Sequence, residues 1–475
     1  MICRYILFVL FALCGGWVEA QENRNYEFLD MKSSPFEVDE NYLSKHDIVY
    51  LSPTQLEAEG FPMGNGNMGG MIWNHDNGIE IQINKNDLWT DLRADEGNTA
   101  ILKHAARIKI DFGTPVFSWI HLKDFEGRLS MKNGEVTYKS TSAVSDTYIR
   151  TWLASQKNIW VVECQNTVDK TLGEKSLATV SLERIGSRAF AGWYSGYFPK
   201  DVDVGVGNTN SSWDGRDLIL EENGAGLHFV VACRMLEKPK SAEVVNRHRS
   251  EQETDRSNFT LLISVVTDRE NENPKQAAKD LLDSAEAEGI DYLRKEKDTW
   301  YKKFWSNSFV KLGDDYVENI YYLRRYLMAA GSQGEFPVAF NGGLWRWNRD
   351  VMNWVTPHHW NTQQQYWGLC AQNDCQLMLP YLNTYFKMIP FAESLAKEKG
   401  ANDNALLITE AHCFNGHQDS KDRGDMKNNY TPASQIASLF WDYYDFTGDR
   451  DFLQNKAYPF MKKAANFYLD KLQWD

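Results

Sequence analysis

Two hydrophobic periods divide the chain. From about Tyr26 to Thr267, short apolar and β-branched runs are bounded by Gly, Asn and Asp: GIEIQIN (Gly78 to Asn84), IWVVECQN (Ile159 to Asn166), LHFVVACRML (Leu227 to Leu236) and FTLLISVVTD (Phe259 to Asp268). Runs of this length at this spacing predict a large antiparallel β-sandwich. At Asn273 the pattern changes. The stretch NPKQAAKDLLDSAEAEGIDYLRKEKDTWYKKFW is rich in helix formers and charge and predicts a helical connector. Beyond Asp314 apolar residues recur at helical spacing, as at Ile320, Leu323, Leu327 and Ala330 between Val317 and Ala330. Similar stripes cover Thr362 to Leu379, Tyr385 to Lys397, Pro432 to Phe446 and Asp451 to Gln473, and no short-period repeat is present. The expected division is a leader over 1–20, a β-sandwich over 21–270, a helical linker over 271–314 and a helical domain over 315–475.

The stretch GFPMGNGNMGGMIW spaces Gly64, Gly66 and Gly69 as G-x-G-x-x-G. A dinucleotide loop with that spacing needs a strand before it and a helix behind it. Here Pro53 and Pro62 precede it and strand-like sequence follows. The glycines therefore predict a bend that feeds a strand, at positions needing positive φ or close backbone approach.

Charge and composition narrow the function classes. A net charge of -14 would repel phosphate backbones, and no Lys/Arg stripe interleaved with aromatics offsets it, so no nucleic-acid partner is expected. Met1 to Ala20 carries Arg4, an apolar run from Tyr5 to Leu13 and a Val18-Glu19-Ala20 cleavage pattern, which predicts a cleavable export signal and a secreted or periplasmic protein. The run is too short for a membrane span, which takes roughly 20 apolar residues. A lipoprotein reading through Cys14 is disfavoured by Leu13. Cys164, Cys233, Cys370, Cys375 and Cys413 remain after cleavage, too few for a disulfide scaffold. Cys370 and Cys375 fall on a predicted helix, where their side chains would not meet, so they are expected to be small buried apolar residues.

FPMGNGNMGGMIW followed by IEIQINKNDLWTD resembles the start of the β domain of glycoside hydrolase family 95, through Pro62, Gly64, Asn65, Gly66, Gln82, Asn84, Leu88 and Trp89. GEFPVAFNGGLWRWN (Gly334 to Asn348), HWNTQQQYW (His359 to Trp367) and LFWDYYDFTGDRDFLQNKAYPFMKKAANFYLDKL are similar to segments of that family's barrel. The resemblance implies a multidomain β plus α chain, an N-terminal antiparallel β-sandwich followed by a partial (α/α)6 helical barrel. It implies inverting removal of a terminal α-linked L-fucose or L-galactose-like sugar from a glycan without a cofactor or metal. In the family's fucosidases two asparagines, two residues apart, position the attacking water. Asn361 matches the second, and His359 stands where the first would be. The family's acidic Glu and basic Asp fall beyond Asp475, and about five helices follow residue 314 where a six-hairpin barrel needs twelve, so a fragment is expected.

The candidate chemistry lies between Trp345 and Trp367. Sugar sites need flat apolar rings for pyranose faces and amides for hydroxyls. This stretch holds Trp345, Trp347, Trp354, Trp360 and Trp367 with His358, His359, Asn361, Gln363, Gln364 and Gln365. Trp345, Trp360, Gln363, Trp367 and His358 are expected to bind substrate, and Asn361 and His359 to handle water. Each Trp has core packing as its alternative. Adjacent His358 and His359 point to different faces, against a shared metal. Glu410, beside His412, His417 and Asp419, is the candidate acid or sugar ligand within the chain. Asp419, Asp422 and Asp425 lack the glycine and terminal Glu of a calcium loop. No G-x-S-x-G, H-E-x-x-H or P-loop motif occurs. The competing function class is a non-catalytic carbohydrate-binding remnant that keeps the aromatic wall but lacks the acid and base.

Overall fold

The computed structural model describes residues 40–54, 56–89, 92–94, 97–99, 102–169, 177–185, 208–224, 226–340, 342–346, 359–412, 414–416 and 429–471. The leader, His358, Trp347, Trp354, Cys413, His417, Asp419, Asp422 and Asp425 lie outside them. The β-branched runs form the strands Gly78–Lys85, Ile159–Val168, Leu227–Met235 and Asn258–Thr267. Among the described residues, one antiparallel sheet has nine strands and a second has seven. The sheets meet through aromatic contacts such as Phe61 with Tyr138 at 5.7 Å between ring centroids.

Ile159–Val168, Asn258–Thr267 and Leu227–Met235 are neighbours at the heart of the larger sheet. Leu227–Met235 and Asn258–Thr267 are buried along almost their whole length, whereas Ile159–Val168 is buried through its first four residues and then alternates, as Glu135–Ser142 does. The difference has a cause in packing. Helix α1, Pro274–Glu288, lies on the outer face of Leu227–Met235 and Asn258–Thr267, so both faces of those strands leave water. Ser264 Oγ donates to Ala278 O of that helix at 2.9 Å. Asn273 caps α1 by accepting from Gln276 N–H, with Pro274 at the first position. Helix α2, Ile290–Ser306, also leans on the sandwich, where Lys297 pairs with Glu135 at 2.7 Å and Trp305 Nε1 donates to Met131 O at 3.0 Å.

Helix α3, Asp315–Gly331, is capped by Asp314, whose side chain accepts from Tyr316 and Val317 N–H. Its C-terminal end meets the glycine hairpin formed by Phe61–Gly64 and Met68–His75. Gly66, at φ +91°, donates its N–H to Ala330 O at 2.7 Å, and its own carbonyl accepts from Gln333 N–H at 2.9 Å. A Cβ at Gly64 would sit 2.2 Å from Ala330 O. The G-x-G spacing thus serves backbone contact between sheet and helix. Asn86 Nδ2 donates to Gly331 O at 2.8 Å, and Asn84 Nδ2 donates to Leu344 O at 2.7 Å and Arg346 O at 2.8 Å.

Three helical expectations are corrected in detail. The buried face of α3 carries Glu318, Tyr322, Arg325, Tyr326 and Ala329, while Ile320 is 47% exposed. The predicted stripe faces an open apolar groove, and the buried Arg325 is satisfied by a two-pronged pair with Asp374 at 2.8 Å on both prongs. The expected helix over Thr362 to Leu379 stops early: α4 is His359–Gln363, followed by turns with Gly368 at φ +78° and Asn373 at φ +62°. Those turns bring the Cα atoms of Cys370 and Cys375 to 4.3 Å, and the two form a disulfide, against the expectation of unpaired residues. The stripe over Tyr385 to Lys397 is two helices, α5 (Leu379–Lys387) and α6 (Ile389–Glu398), with Pro390 in the first turn of the second. Downstream, α7 (Pro432–Thr447) packs on α8 (Tyr458–Lys471) through Phe440 stacked on Phe460 at 4.6 Å.

Gly64→Ala is expected to lower the unfolding free energy by about 3 kcal/mol, the upper end of overpacking costs. A denaturant midpoint equal to wild type would show that sheet and helix part freely at this contact. Asn84→Ala removes two buried donated bonds and leaves two carbonyls unpaired, so a loss of about 2 kcal/mol is expected in the same measurement.

Candidate active site

Glu410 organises the start of α4. Its carbonyl accepts from His359 N–H at 2.9 Å, and its Oε1 accepts from Trp360 N–H at 2.7 Å. A carboxylate at that place satisfies a helix N–H group that has no intrahelical acceptor. The other oxygen, Oε2, stands 3.5 Å from His359 Nδ1, and the His359 ring is fully buried. Burial pushes the Glu410 carboxyl up, but the His359 ring, the Trp360 N–H and the charges of His359 and His412 outweigh it and hold it below the usual carboxylate range. The side chain is therefore ionised near neutral pH, the opposite of what a general acid requires.

A tyrosine column supports this corner from below. Tyr366, Tyr381 and Tyr385 follow one another with ring centroids 4.7 Å apart at each step. His412 Nδ1 lies 3.1 Å from Thr409 O, a carbonyl that only accepts, so Nδ1 carries the proton and Nε2 accepts from Tyr385 OH at 3.1 Å. Tyr366 OH accepts from Val338 N–H at 2.9 Å, and burial pushes its pKa up to about 12, so it remains a neutral structural group.

One face of α4 is polar and buried. His359, Thr362 and Gln363 are spaced i, i+3 and i+4, which places them side by side on a helix. All three are at most 3% exposed. Among the described residues, His359 Nδ1 and Nε2, Thr362 Oγ1 and Gln363 Oε1 have no hydrogen-bond partner. The amide of Gln363 is oriented by Gln435 in the first turn of α7, whose Oε1 accepts from Gln363 Nε2 at 2.9 Å. Sequence reasoning missed Gln435. The pair spans 72 positions, and an amide in the first turn of an amphipathic helix carries no local signal.

The opposite face of α4 meets solvent. Trp360 and Trp367 are 45% and 46% exposed and stand edge to face, with ring centroids 5.5 Å apart. Asn361 is exposed beside them. Two residues along a helix turn through about 200°, so α4 brings His359 to Glu410 and sends Asn361 to the other side. Trp345 is half-buried elsewhere, in the apolar groove of about 370 Å³ lined also by Ile320, Leu323, Leu327, Arg324 and Gln365. Arg324 links groove and indoles by donating to Gln365 O at 3.1 Å and Gln372 Oε1 at 2.9 Å. Among the described residues no group of three or more His, Cys, Asp or Glu is placed to hold a metal.

Comparisons with known proteins follow the same division. Residues 291–475 match the glycosyl hydrolase family 95 catalytic domain, and residues 49–180 match a domain of unknown function, DUF5703. A "Probable alpha-fucosidase A" of Aspergillus niger is 28% identical over 176 residues, 36% of this chain and 22% of the relative. "Alpha-L-fucosidase 2" of Arabidopsis thaliana is 27% identical over 168 residues, 33% of this chain and 19% of the relative. The matched part is thus about a fifth of the length of these curated relatives. A "Putative kojibiose phosphorylase from human microbiome" shares the fold with a TM-score of 0.67 and 14% identity, over 91% of this chain and 60% of that one. The match to the family 95 catalytic domain, residues 291–475, contains the buried polar face of α4, the carboxylate of Glu410 and the exposed indoles, so this region is similar to that domain.

Proposed function

We propose that the chain is an exported glycoside hydrolase acting by inversion on terminal α-linked L-fucose or L-galactose-like sugars of complex glycans. The observation that carries this reading is that the family 95 match contains the buried polar face of α4, with four polar atoms unpartnered among the described residues, set against an ionised carboxylate. The alpha-fucosidase names of the two relatives supply the sugar class. The exposed indoles of Trp360 and Trp367 offer flat apolar surface to a pyranose, and the exposed amide of Asn361 beside them offers a donor and an acceptor to its hydroxyls. In an inverting reaction water attacks the anomeric carbon as the glycosidic oxygen leaves on the opposite face. Asn361 is proposed to serve at the solvent side of α4, and Trp345 to bind an apolar part of the substrate in its groove. Export agrees with the leader sequence and with the Cys370–Cys375 disulfide, which belongs to an oxidising compartment.

One observation favours a second reading, carbohydrate binding without turnover: Glu410 is held ionised and is no proton donor at neutral pH. The two readings separate in one assay of 4-nitrophenyl glycosides, glycosyl fluorides and free sugars. Turnover of the α-L-fucosyl or α-L-galactosyl compound, with the β-hemiacetal as first product by proton NMR, supports the hydrolase. Saturable calorimetric binding with no product supports the binder. Replacement of Trp360 by Ala is expected to weaken sugar affinity about tenfold, in line with about 1.4 kcal/mol for a lost stacking face.

Glu410 also predicts an acid limb in stability. Its folded pKa lies below the unfolded value of about 4.3, so its contribution is complete above that value and is lost as pH falls through the folded pKa. Melting temperatures measured from pH 7 to pH 3 are expected to fall less steeply below about pH 4 in Glu410→Gln than in wild type. Parallel curves would remove the carboxylate from the account.

A further inference from the structure

We propose that the outer face of the nine-stranded sheet, over the part that α1 and α2 leave open, is a second carbohydrate site that holds a neutral polysaccharide chain, with Trp119 at its end. The face lies within residues 49–180, the match to the domain of unknown function. The proposal rests on the carbohydrate reading for the class of ligand and goes beyond it in place, since no residue of α4 takes part.

Cross-strand register defines the face. Residues directly opposite one another in an antiparallel pair point the same way. Asp124, Thr141 and Asp146 form one such row across the strands Leu122–Ser130, Glu135–Ser142 and Ser145–Leu153, and all three are exposed. The next row on this face, about 7 Å along the strands, is Glu126, Lys139, Tyr148 and, on Ile159–Val168, Gln165. Further along, Trp152 is covered, because Arg294 and Lys297 of α2 lie over its ring at 5.8 Å and 5.4 Å. The helices therefore close one end of the face and leave the Tyr148 end to solvent. The open rows mix Asp124, Glu126 and Asp146 with Lys123, Lys139 and Arg128, so no field of one sign forms. A polyanion or an anionic bilayer gains little from such a surface. An uncharged, hydroxyl-rich chain matches it, because carboxylates accept from hydroxyls and an ammonium group donates to them.

Polar rows alone are what an antiparallel sheet facing water shows. The end of this face differs. Trp119 and Ile120 are 72% and 68% exposed, and Leu51, which follows the edge strand paired with Leu122–Ser130, is 77% exposed. Tyr148 adds a half-buried ring whose centre is 6.0 Å from Lys139 Nζ. The turn that carries Trp119 is pinned from both sides. Ser118 O accepts from His121 N–H at 2.9 Å and from Leu122 N–H at 3.2 Å, and His121 O accepts from Ala143 N–H at 2.9 Å. Phe117 N–H donates to Asp76 O at 2.8 Å, and its ring packs on Phe125 with centroids 5.6 Å apart. Tryptophan is ordinarily among the more buried residues, whereas this indole is held in water with its backbone already ordered, which keeps the cost of binding low. Its flat apolar face suits a pyranose. The strand that carries Tyr148 runs on to Ala154, whose carbonyl accepts from Asn65 of the glycine hairpin at 3.0 Å, so Asp146 stands about 25 Å beyond the contact with the helical region. A polysaccharide held there keeps its chain ends at high local concentration around the molecule.

The test is native affinity electrophoresis of the full chain in gels containing hydroxyethylcellulose, glucomannan, galactomannan or dextran, which are neutral and lack L-fucose and L-galactose. At least one is expected to retard wild type. Trp119→Ala and Tyr148→Ala are each expected to weaken that retention about tenfold, as for a lost stacking face, and to leave turnover of 4-nitrophenyl glycosides unchanged. Trp119 is exposed, so its removal leaves the fold intact, and melting curves check both variants. Retention equal in wild type and both variants overturns the proposal, as does retention only by alginate or by phosphatidylserine vesicles. Absence of retention in every neutral gel, with glycosides still turned over, overturns the second site and leaves the hydrolase reading standing. Retention lost on Trp119→Ala in a chain inert toward every glycoside supports the second site and removes the hydrolase reading instead.

Discussion

The contact between Gly66 and the end of α3 fixes where the helical region begins relative to the sandwich. The last carbonyls of a helix have no partner within it. Here the Ala330 carbonyl is taken by Gly66 N–H and the Gly331 carbonyl by Asn86, both from the sandwich. The bonds run in both directions, because Gln333 and Gly334 N–H donate to Gly66 O. Further along, Asn84 holds the carbonyls of Leu344 and Arg346. The sandwich therefore pins both ends of the segment from Gly331 to Arg346, which leads toward α4. Any residue but glycine at position 64 would drive a methyl group into the Ala330 carbonyl, so the approach is as close as the backbones permit.

From that fixed helix a second set of bonds reaches the site. Arg325 projects from α3 to Asp374, and the pair is wholly buried. Burying such a pair costs several kcal/mol per ion unless geometry and further bonds compensate. Here both carboxylate oxygens are used, Ser308 O accepts a third bond at 2.8 Å, and the guanidinium lies over Phe304 and Trp305. Next to Asp374, Cys375 is tied to Cys370. The turns after α4 are thus held by charge and by a covalent link, which lets a helix of five residues keep a defined direction although its own nucleation is unfavourable.

The sequence made the two-part architecture readable because burial enforces period. Strands such as Gly78–Lys85 and helices such as α7 announce themselves in their apolar spacing. The glycine stretch was readable as a bend because its flanks excluded a nucleotide loop, although the partner it approaches, Ala330, lies far along the chain. Periodicity failed where polar residues are buried in pairs. Arg325 and Glu318 sit on the inner face of α3, so the apolar stripe through Ile320 pointed to the wrong side. It failed again after Gln363, where positive φ at Gly368 and Asn373 ends the helix and draws two cysteines together. At the site, the density of rings and amides between Trp345 and Trp367 was legible. Its division into a buried His359 face, an exposed indole face and a distant Trp345 groove was not, because it depends on where one short helix starts and on Glu410, which arrives from another connection.

Glu410 gives that helix start its meaning. As a cap alone, the residue needs only one oxygen and the N–H of Trp360. Its second oxygen faces an imidazole whose far nitrogen ends among polar atoms unpartnered within the described residues. Core histidines are ordinarily satisfied at both nitrogens, as His412 is by Thr409 O and Tyr385 OH a few residues away. The two histidines lie close to one tyrosine column, yet only His412 has both ring nitrogens in hydrogen bonds. His412 closes its hydrogen bonds within the protein. His359 has neither ring nitrogen within a hydrogen bond among the described residues, on the face where Thr362 Oγ1 and Gln363 Oε1 are also without a partner, so this face of α4 holds polar atoms that packing alone leaves unsatisfied.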